Sequence, residues 1–328
     1  MSSAAAVKKM LSAIRFGSWR FVLEAGSDGR LPGFKGSTIR GAFGMALRRM
    51  ACIAGINKDC RQCMVFENCM YALAFESVNN PEKNSSKFLG KYEYIPHPIV
   101  FSDRSAGKRD YKKGDKLEFE LMLVEPYVSK LPYYVYAVKN AAETGLGKDK
   151  ALKFKLAAVR GKTGADLYEP SGDRFDPDFI SGLTSAESVM AGQAVNKIEL
   201  EILSPLRVKH GEKIAAKLDF KILATALLRR ASGIASHYSG VSVDIGAAEY
   251  LEDAASVKTV SDKTYWHDWE RFSNRQKVKM NMGGLMGNIV FEGKALKKYL
   301  PLVRLGQALK AGKGTSMGLG EYRVRTGE

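Results

Sequence analysis

The sequence predicts an α+β fold built twice over. Three observations carry this: strands of alternating polarity, helices with an apolar stripe, and the same order of elements in both halves. Successive strand side chains point to opposite faces, whereas a helix returns to one face every third or fourth residue.

The first half begins with "AIRFGSWRFVLE" (13–24), read as a strand. A turn with Pro32 and Gly33 leads into "GSTIRGAFGMALRRMACI", where Ile39, Phe43, Leu47 and Met50 recur at helical spacing. Ser37 or Thr38 is the expected cap, because a hydroxyl there accepts from the free amides of the first turn. "YIPHPIVF" (94–101) and "KLEFELML" (116–123) follow as strands, the latter with Leu117, Phe119, Leu121 and Leu123 on one face. "LPYYVYAVKNAAETG" (131–145) reads as a helix, and the close spacing of Tyr133, Tyr134 and Tyr136 favours core packing over stacking on nucleic-acid bases. "ALKFKLAAV" (151–159) alternates again.

The second half repeats the series. "KIELEIL" (197–203) is a strand, and "DFKILATALLRRASGIASHY" (219–238) a helix with Phe220, Leu223 and Leu227 on one stripe. "RQKVKMNM" and "GGLMGNIVFEG" read as a strand pair joined near Gly283–Gly284. "LKKYLPLVRLGQALK" (296–310) is helical, with Pro301 expected in its first turn, where a missing N–H is tolerated. A glycine loop and "EYRVRT" close the chain. Each half therefore runs strand–helix–strand–strand–helix–strand, the ferredoxin-like plan. The echo of "TGLGKDK" (144–150) in "MGLGEYR" (317–323) points to an internal duplication. The expected domains are 1–190 and 191–328, with a seam near 165–195 rich in Gly, Ser, Asp and Pro.

The length of 328 residues suffices for two cores. No apolar run reaches the ~18 residues that span a bilayer, and "MSSAAAVKKMLSAIRFGSW" lacks a secretory apolar core, so a soluble cytoplasmic protein is expected. Lys and Arg total 51 against 35 acids, a formal charge of +16. The excess clusters in "RFSNRQKVKM" (271–280) and "KKYLPLVR" (297–304), which favours nucleic acid as partner. No basic stretch carries the amphipathic anchor that a membrane surface needs.

"GKGTSMGLGEY" (312–322) places Gly312, Gly314, Gly318 and Gly320 within nine residues. Bare backbone lets amides approach an anion, and Lys313, Thr315 and Ser316 add donors. A P-loop would be followed by a helix, and a dinucleotide fingerprint would follow a first strand; neither describes this loop. All four cysteines, Cys52, Cys60, Cys63 and Cys69, fall within 18 residues and include one Cys-x-x-Cys. Four thiolates suit a structural zinc ion, with an iron–sulfur cluster as the alternative; two disulfides do not suit a reducing compartment. An iron–sulfur redox protein is a rival reading for which only these cysteines speak.

"FKGSTIRGAFGMALRRMA", "WERFSNRQKVKMNMGGLMGNIVF" and "LGQALKAGKGTSMGLGEY" together resemble the CRISPR-associated repeat-RNA-processing endoribonucleases of the RAMP superfamily, in a branch with a cysteine cluster (52–69) after the first helix. The resemblance implies tandem ferredoxin-like domains and binding of a CRISPR repeat, often as a hairpin. It implies one metal-independent cut by 2′-OH attack that leaves a 2′,3′-cyclic phosphate. Such chemistry needs a base, an acid and cations around the phosphate. The candidates are His237, Lys310, Arg40 and Tyr238. Many relatives carry a histidine at the position of Lys310; others use arginine and lysine alone. Gly312, Lys313, Gly314, Thr315, Ser316, Gly318, Gly320, Arg48, Arg49, Arg271, Arg275, Lys277 and Lys279 are the expected RNA contacts. Of the other histidines, His97 and His267 are read as packing or local hydrogen bonding and His210 as solvated. Repeat RNA is the expected partner, with other CRISPR effector subunits beside it. A non-catalytic RNA-binding subunit of an effector complex is the alternative.

Overall fold

A computed structural model describes residues 2–56, 58–77, 95–176, 183–241, 244–273 and 278–326. The chain divides into two units, each with its own core. One, the cysteine-bearing unit, gathers residues 16–79 and 93–183; the other, the glycine-loop unit, takes 1–15 and 184–328.

In the cysteine-bearing unit the order is β1 (Arg15–Ala25), α1 (Gly36–Ala51), α2 (Met70–Phe75), β2 (Ile99–Asp103), β3 (Lys116–Val124), α3 (Leu131–Thr144) and β4 (Phe154–Arg160). The antiparallel sheet runs β2-β3-β1-β4, the ferredoxin-like arrangement. Phe21 stacks on Phe119 across β1 and β3 at 5.1 Å. Phe43 of α1 meets Phe101 at 5.1 Å and Tyr134 of α3 at 5.7 Å. Tyr134 is thus core as its spacing suggested, but Tyr133 and Tyr136 are 54% and 49% exposed: three tyrosines in four positions cannot share one helix face. The expected hydroxyl cap of α1 is absent as well. The helix starts at Gly36 with Lys35 as its cap residue, and the Lys35 amide donates to the Asp103 carboxylate at 2.8 Å.

The glycine-loop unit repeats the plan with α4 (Ala186–Met190), β5 (Lys197–Leu206), α5 (Phe220–Tyr238), β6 (Lys258–His267), β7 (Glu270–Ser273), β8 (Val278–Asn281), β9 (Gly284–Glu292), α6 (Leu296–Leu309) and β10 (Tyr322–Thr326). Its sheet runs β6-β9-β5-β10. Asp219 caps α5 by accepting from Ile222 N–H at 2.7 Å. Phe220 packs edge-on to Phe291 of β9 and Tyr299 of α6. The strand paired with β9 is Lys258–His267, whereas Val278–Asn281 forms a small hairpin with Glu270–Ser273. The expected pair 275–282 with 283–293 is corrected accordingly: β6 is exposed along nearly its whole length and so carries no apolar alternation to read. Pro301 sits inside α6, which already starts at Leu296. A helix at Ser3–Ser12, not foreseen, packs with α4 and α5, so residues 1–15 cluster with the second unit and not with the 1–190 division.

Candidate nucleic-acid interface and active site

The glycine loop is held by its own backbone. Lys313 N–H donates to Arg207 O at 2.8 Å, Gly320 N–H to Pro205 O at 3.1 Å, and Ala311 N–H to Gly320 O at 3.0 Å. Ser204 Oγ donates to Gly318 O at 2.7 Å. A Cβ on Gly320 would stand 1.8 Å from Ala311 O, and one on Gly312 2.4 Å from Arg207 O, with φ +72° and +81°. The bare backbone therefore serves a close approach between the loop and the end of β5, before any ligand is considered. Thr315, Ser316, Gly318 and Gly320 are buried, Gly312 and Gly314 are half-buried, and Lys313 is exposed.

Arg271 on the small hairpin reaches this loop. Its half-buried guanidinium donates to the Met317 and Met280 sulfurs at 3.3 and 3.5 Å, and its Nε is buried with no partner among the described residues. Thioethers are weak acceptors, so a cation held this way retains an appetite for an anion. Burial pushes its pKa down. Lys279 is exposed, 3.8 Å from Glu270. Arg275 and Lys277 lie outside the described residues.

Of the catalytic candidates, Lys310, His237 and Tyr238 belong to the glycine-loop unit. Lys310, at the end of α6 with φ +65°, is 4% exposed; its ammonium lies 3.1 Å from Glu321 Oε1 and donates to Gln307 O. The Glu321 carboxylate therefore engages the charge of this candidate lysine. Arg230, buried on α5, donates to Leu309 O next to it. His237 is half-buried at the end of α5, with Nδ1 3.0 Å from Gly233 O. Burial holds its pKa below the usual value, with the Gly233 carbonyl opposing, so desolvation outweighs the helix-end dipole that would favour a charged ring. Tyr238 is half-buried with its ring 6.4 Å from that of His237.

Arg40 lies in the other unit, on α1. Its guanidinium sits 4.5 Å over the Phe75 ring, and Nη2 is 3.4 Å from His97 Nε2. His97 Nδ1 is 2.6 Å from Ser77 Oγ. Sequence reasoning missed this cluster because Arg40, Ser77 and His97 are far apart along the chain and share no periodic pattern. Arg48 turns inward as well, donating to Lys58 O at 2.6 Å and lying over Tyr71, so it braces the cysteine segment; Arg49 is exposed.

The four cysteines are half-buried free thiols that line one small cavity with Tyr71 and Phe66. Two short turns hold them: Cys63 N–H donates to Cys60 O at 3.1 Å and Cys69 N–H to Phe66 O at 3.3 Å. Burial pushes the Cys60 thiol up. Among the described residues no three His, Cys, Asp or Glu side chains form a group that could hold a metal ion. The donor chemistry fits a thiophilic cation, but the expected zinc sphere is not preformed.

Comparison with known proteins places both halves. A family model described as an N-terminal domain (AF_1859_N) matches residues 14–178, and the model for CRISPR-associated endoribonuclease Cas6 matches residues 200–322. An uncharacterized protein of Archaeoglobus fulgidus is 21% identical over 300 residues, covering 90% of this chain and 93% of its own. A product complex of Thermus thermophilus Cas6 superposes with a TM-score of 0.55 at 16% identity, covering 94% of this chain and all of that one. A chain of a partial Cas6-RT-Cas1--Cas2 complex gives 0.54 at 13% identity, covering 96% of this chain and 47% of its own. These likenesses confirm the tandem ferredoxin-like architecture, and among the described residues no helix is long and apolar enough to cross a membrane. Residues 14–178, half of the chain, thus belong to the family of the AF_1859_N model, and residues 200–322 to that of the CRISPR-associated endoribonuclease Cas6.

Proposed function

We propose that the protein binds the repeat of CRISPR precursor RNA and cuts it once, the 2′-OH attacking the adjacent phosphate to leave a 2′,3′-cyclic end. The Cas6 match over the glycine-loop unit is the observation that carries this reading. The exposed Lys313, with Arg271 held beside the loop by two thioethers, supports phosphate contact there. Arg40, fixed over an aromatic ring, is the cation for the scissile phosphate. Relatives are described as product and Cas1--Cas2 complexes, which supports repeat RNA and other CRISPR proteins as partners.

The test is single-turnover cleavage of the host's repeat RNA in EDTA. A cyclic-phosphate product, abolished by a single 2′-deoxy at the cut, is expected, because deoxyribose removes the nucleophile. Tight binding without any cut would favour the non-catalytic subunit, the reading to which the Lys310–Glu321 pair lends weight.

The cysteine segment is read as a structural metal site, supported by four thiols on one cavity and no disulfide among them. Anaerobically purified protein should carry about one equivalent of zinc, lost on Cys60→Ser with reduced stability. Protein free of any bound metal would sink this reading, and absorbance near ~400 nm would turn it toward iron–sulfur.

A further inference from the structure

His97 stands between Pro96 and Pro98, just before β2. Ser77, two residues beyond α2, holds this segment twice: its carbonyl accepts Ile95 N–H at 2.9 Å, and its hydroxyl meets His97 Nδ1 at 2.6 Å. Ser77 is buried and adopts φ +32°, a conformation that a serine keeps only when its surroundings impose it. On the other side of the ring, Nε2 faces Arg40 Nη2 at 3.4 Å.

Guanidinium has no acceptor, so the hydrogen-bond network assigns the lone pair to Nε2 and the proton to Nδ1, which donates to Ser77 Oγ. In that tautomer the basic nitrogen of the ring lies beside a cation. Phe75 in turn fixes that cation from below at 4.5 Å. Neither His97 nor Arg40 is fully buried. Attack by a 2′-OH needs this pairing: a base for the hydroxyl proton, and next to it a positive charge for the phosphate that gains negative charge in the transition state. His237, by contrast, has its Nδ1 on a backbone carbonyl of its own helix.

We propose that His97 is the general base of the RNA cleavage, acting beside Arg40, with Ser77 as the residue that positions it. This rests on the ribonuclease reading above. Nε2 takes the 2′-OH proton, the O2′–P bond forms, and the P–O5′ bond breaks. The departing 5′-oxygen takes a proton from water, and the imidazolium neutralises the hydroxide so formed. The 3.4 Å contact with Arg40 is at the long end for a hydrogen bond, so a phosphate oxygen and the 2′-OH can displace it readily.

The experiment compares wild type, His97→Ala, His97→Gln and Ser77→Ala in single-turnover cleavage of the host's repeat RNA, with RNA affinity, thermal unfolding and a pH–rate profile measured for each. His97→Ala and His97→Gln should cut about 10²–10⁴-fold more slowly while binding RNA as wild type does. The wild-type rate should fall as pH drops through the range in which imidazole protonates, and added imidazole should partly restore His97→Ala. Ser77→Ala should slow cleavage less and displace that acid limb. The glutamine variant keeps the comparison valid if alanine loosens the fold. A folded His97→Gln that cuts within threefold of wild type, with the same acid limb, overturns the assignment and leaves His97 a packing residue. A wild-type chain that binds repeat RNA but never cuts it removes the ribonuclease reading, and this assignment with it.

Discussion

Replacing Asp103 with alanine should destabilise the cysteine-bearing unit by about 3–5 kcal/mol, a large share of a typical domain's stability. Asp103 and Lys35 form an ion pair at 3.6 Å whose side chains are 1% and 0% exposed. The carboxylate also accepts the Lys35 amide at 2.8 Å and the Ser105 amide at 2.9 Å, so it ties the start of α1 to the end of β2. The ammonium donates further to Ser105 O at 2.7 Å and Gly33 O at 3.2 Å. Removing the carboxylate leaves a buried cation facing two carbonyls, and two part-buried amides without this acceptor. Uncompensated burial of this kind is what makes breaking such pairs costly.

A pH signature accompanies the loss. Burial pulls the Lys35 pKa down, and Asp103 pulls it back up. In Asp103→Asn the raising effect is lost while burial and the nearby Lys108 and Arg109 still lower it, so the folded-state value falls further below the unfolded one. The unfolded chain then binds more protons than the folded chain between those two values, and stability there rises with pH. Urea unfolding of Asp103→Asn at pH 7 and pH 9 should show a larger gain on raising pH than wild type shows. The double variant Lys35→Met/Asp103→Leu should lose less than the two single changes added together. A single-variant loss below about 1 kcal/mol would contradict the buried-pair account.

This pair also marks where sequence reasoning stops. Local periodicity disclosed the apolar stripes of α1, α3 and α5 and the alternating strands β3 and β5, because in each one face meets a core and the other meets water. It could not disclose that the α1 amide finds a carboxylate 68 positions away, which made Ser37 and Thr38 look like the cap. Strand β6 escaped notice for the opposite reason: with both faces largely exposed, its residues follow no burial pattern. The glycine loop was legible as bare backbone but not in purpose, since the atoms that crowd Gly312 and Gly320 belong to Arg207 and Ala311 of the same chain. In the candidate site, charge and motif drew attention to Arg40 and Arg271. His97 was passed over, because its significance lies in its neighbours Ser77 and Arg40, and only the fold supplies those.

The N-terminal helix yields the second large effect. Leu11→Ala should cost the glycine-loop unit about 2–5 kcal/mol, although it lies nearly two hundred residues from most of that unit's core. Ala6, Val7, Met10, Leu11 and Ile14 are all buried, at intervals that make one helical stripe. They pack against α4, α5 and the short helix Ala247–Tyr250. Ile14 O accepts Ala186 N–H at 2.9 Å, which fixes the chain end beside α4. A ten-residue helix is marginal in water by itself, so its structure and the burial of its stripe arise together on docking. Lys8 and Lys9 are exposed on the opposite side, and Lys8→Ala should change stability by no more than about 0.5 kcal/mol. Hydrogen exchange separates the possibilities. With Leu11→Ala, protection should fall in β5 and β9 and hold in β1 and β3. Loss confined to β1 and β3, or a stability change no larger than that of Lys8→Ala, would show that the first fifteen residues do not complete the second core. If protection falls as expected, a chain shortened by its first fourteen residues should lose the glycine loop's order along with α5, since Arg230 of that helix donates to Leu309 O at the loop's entrance.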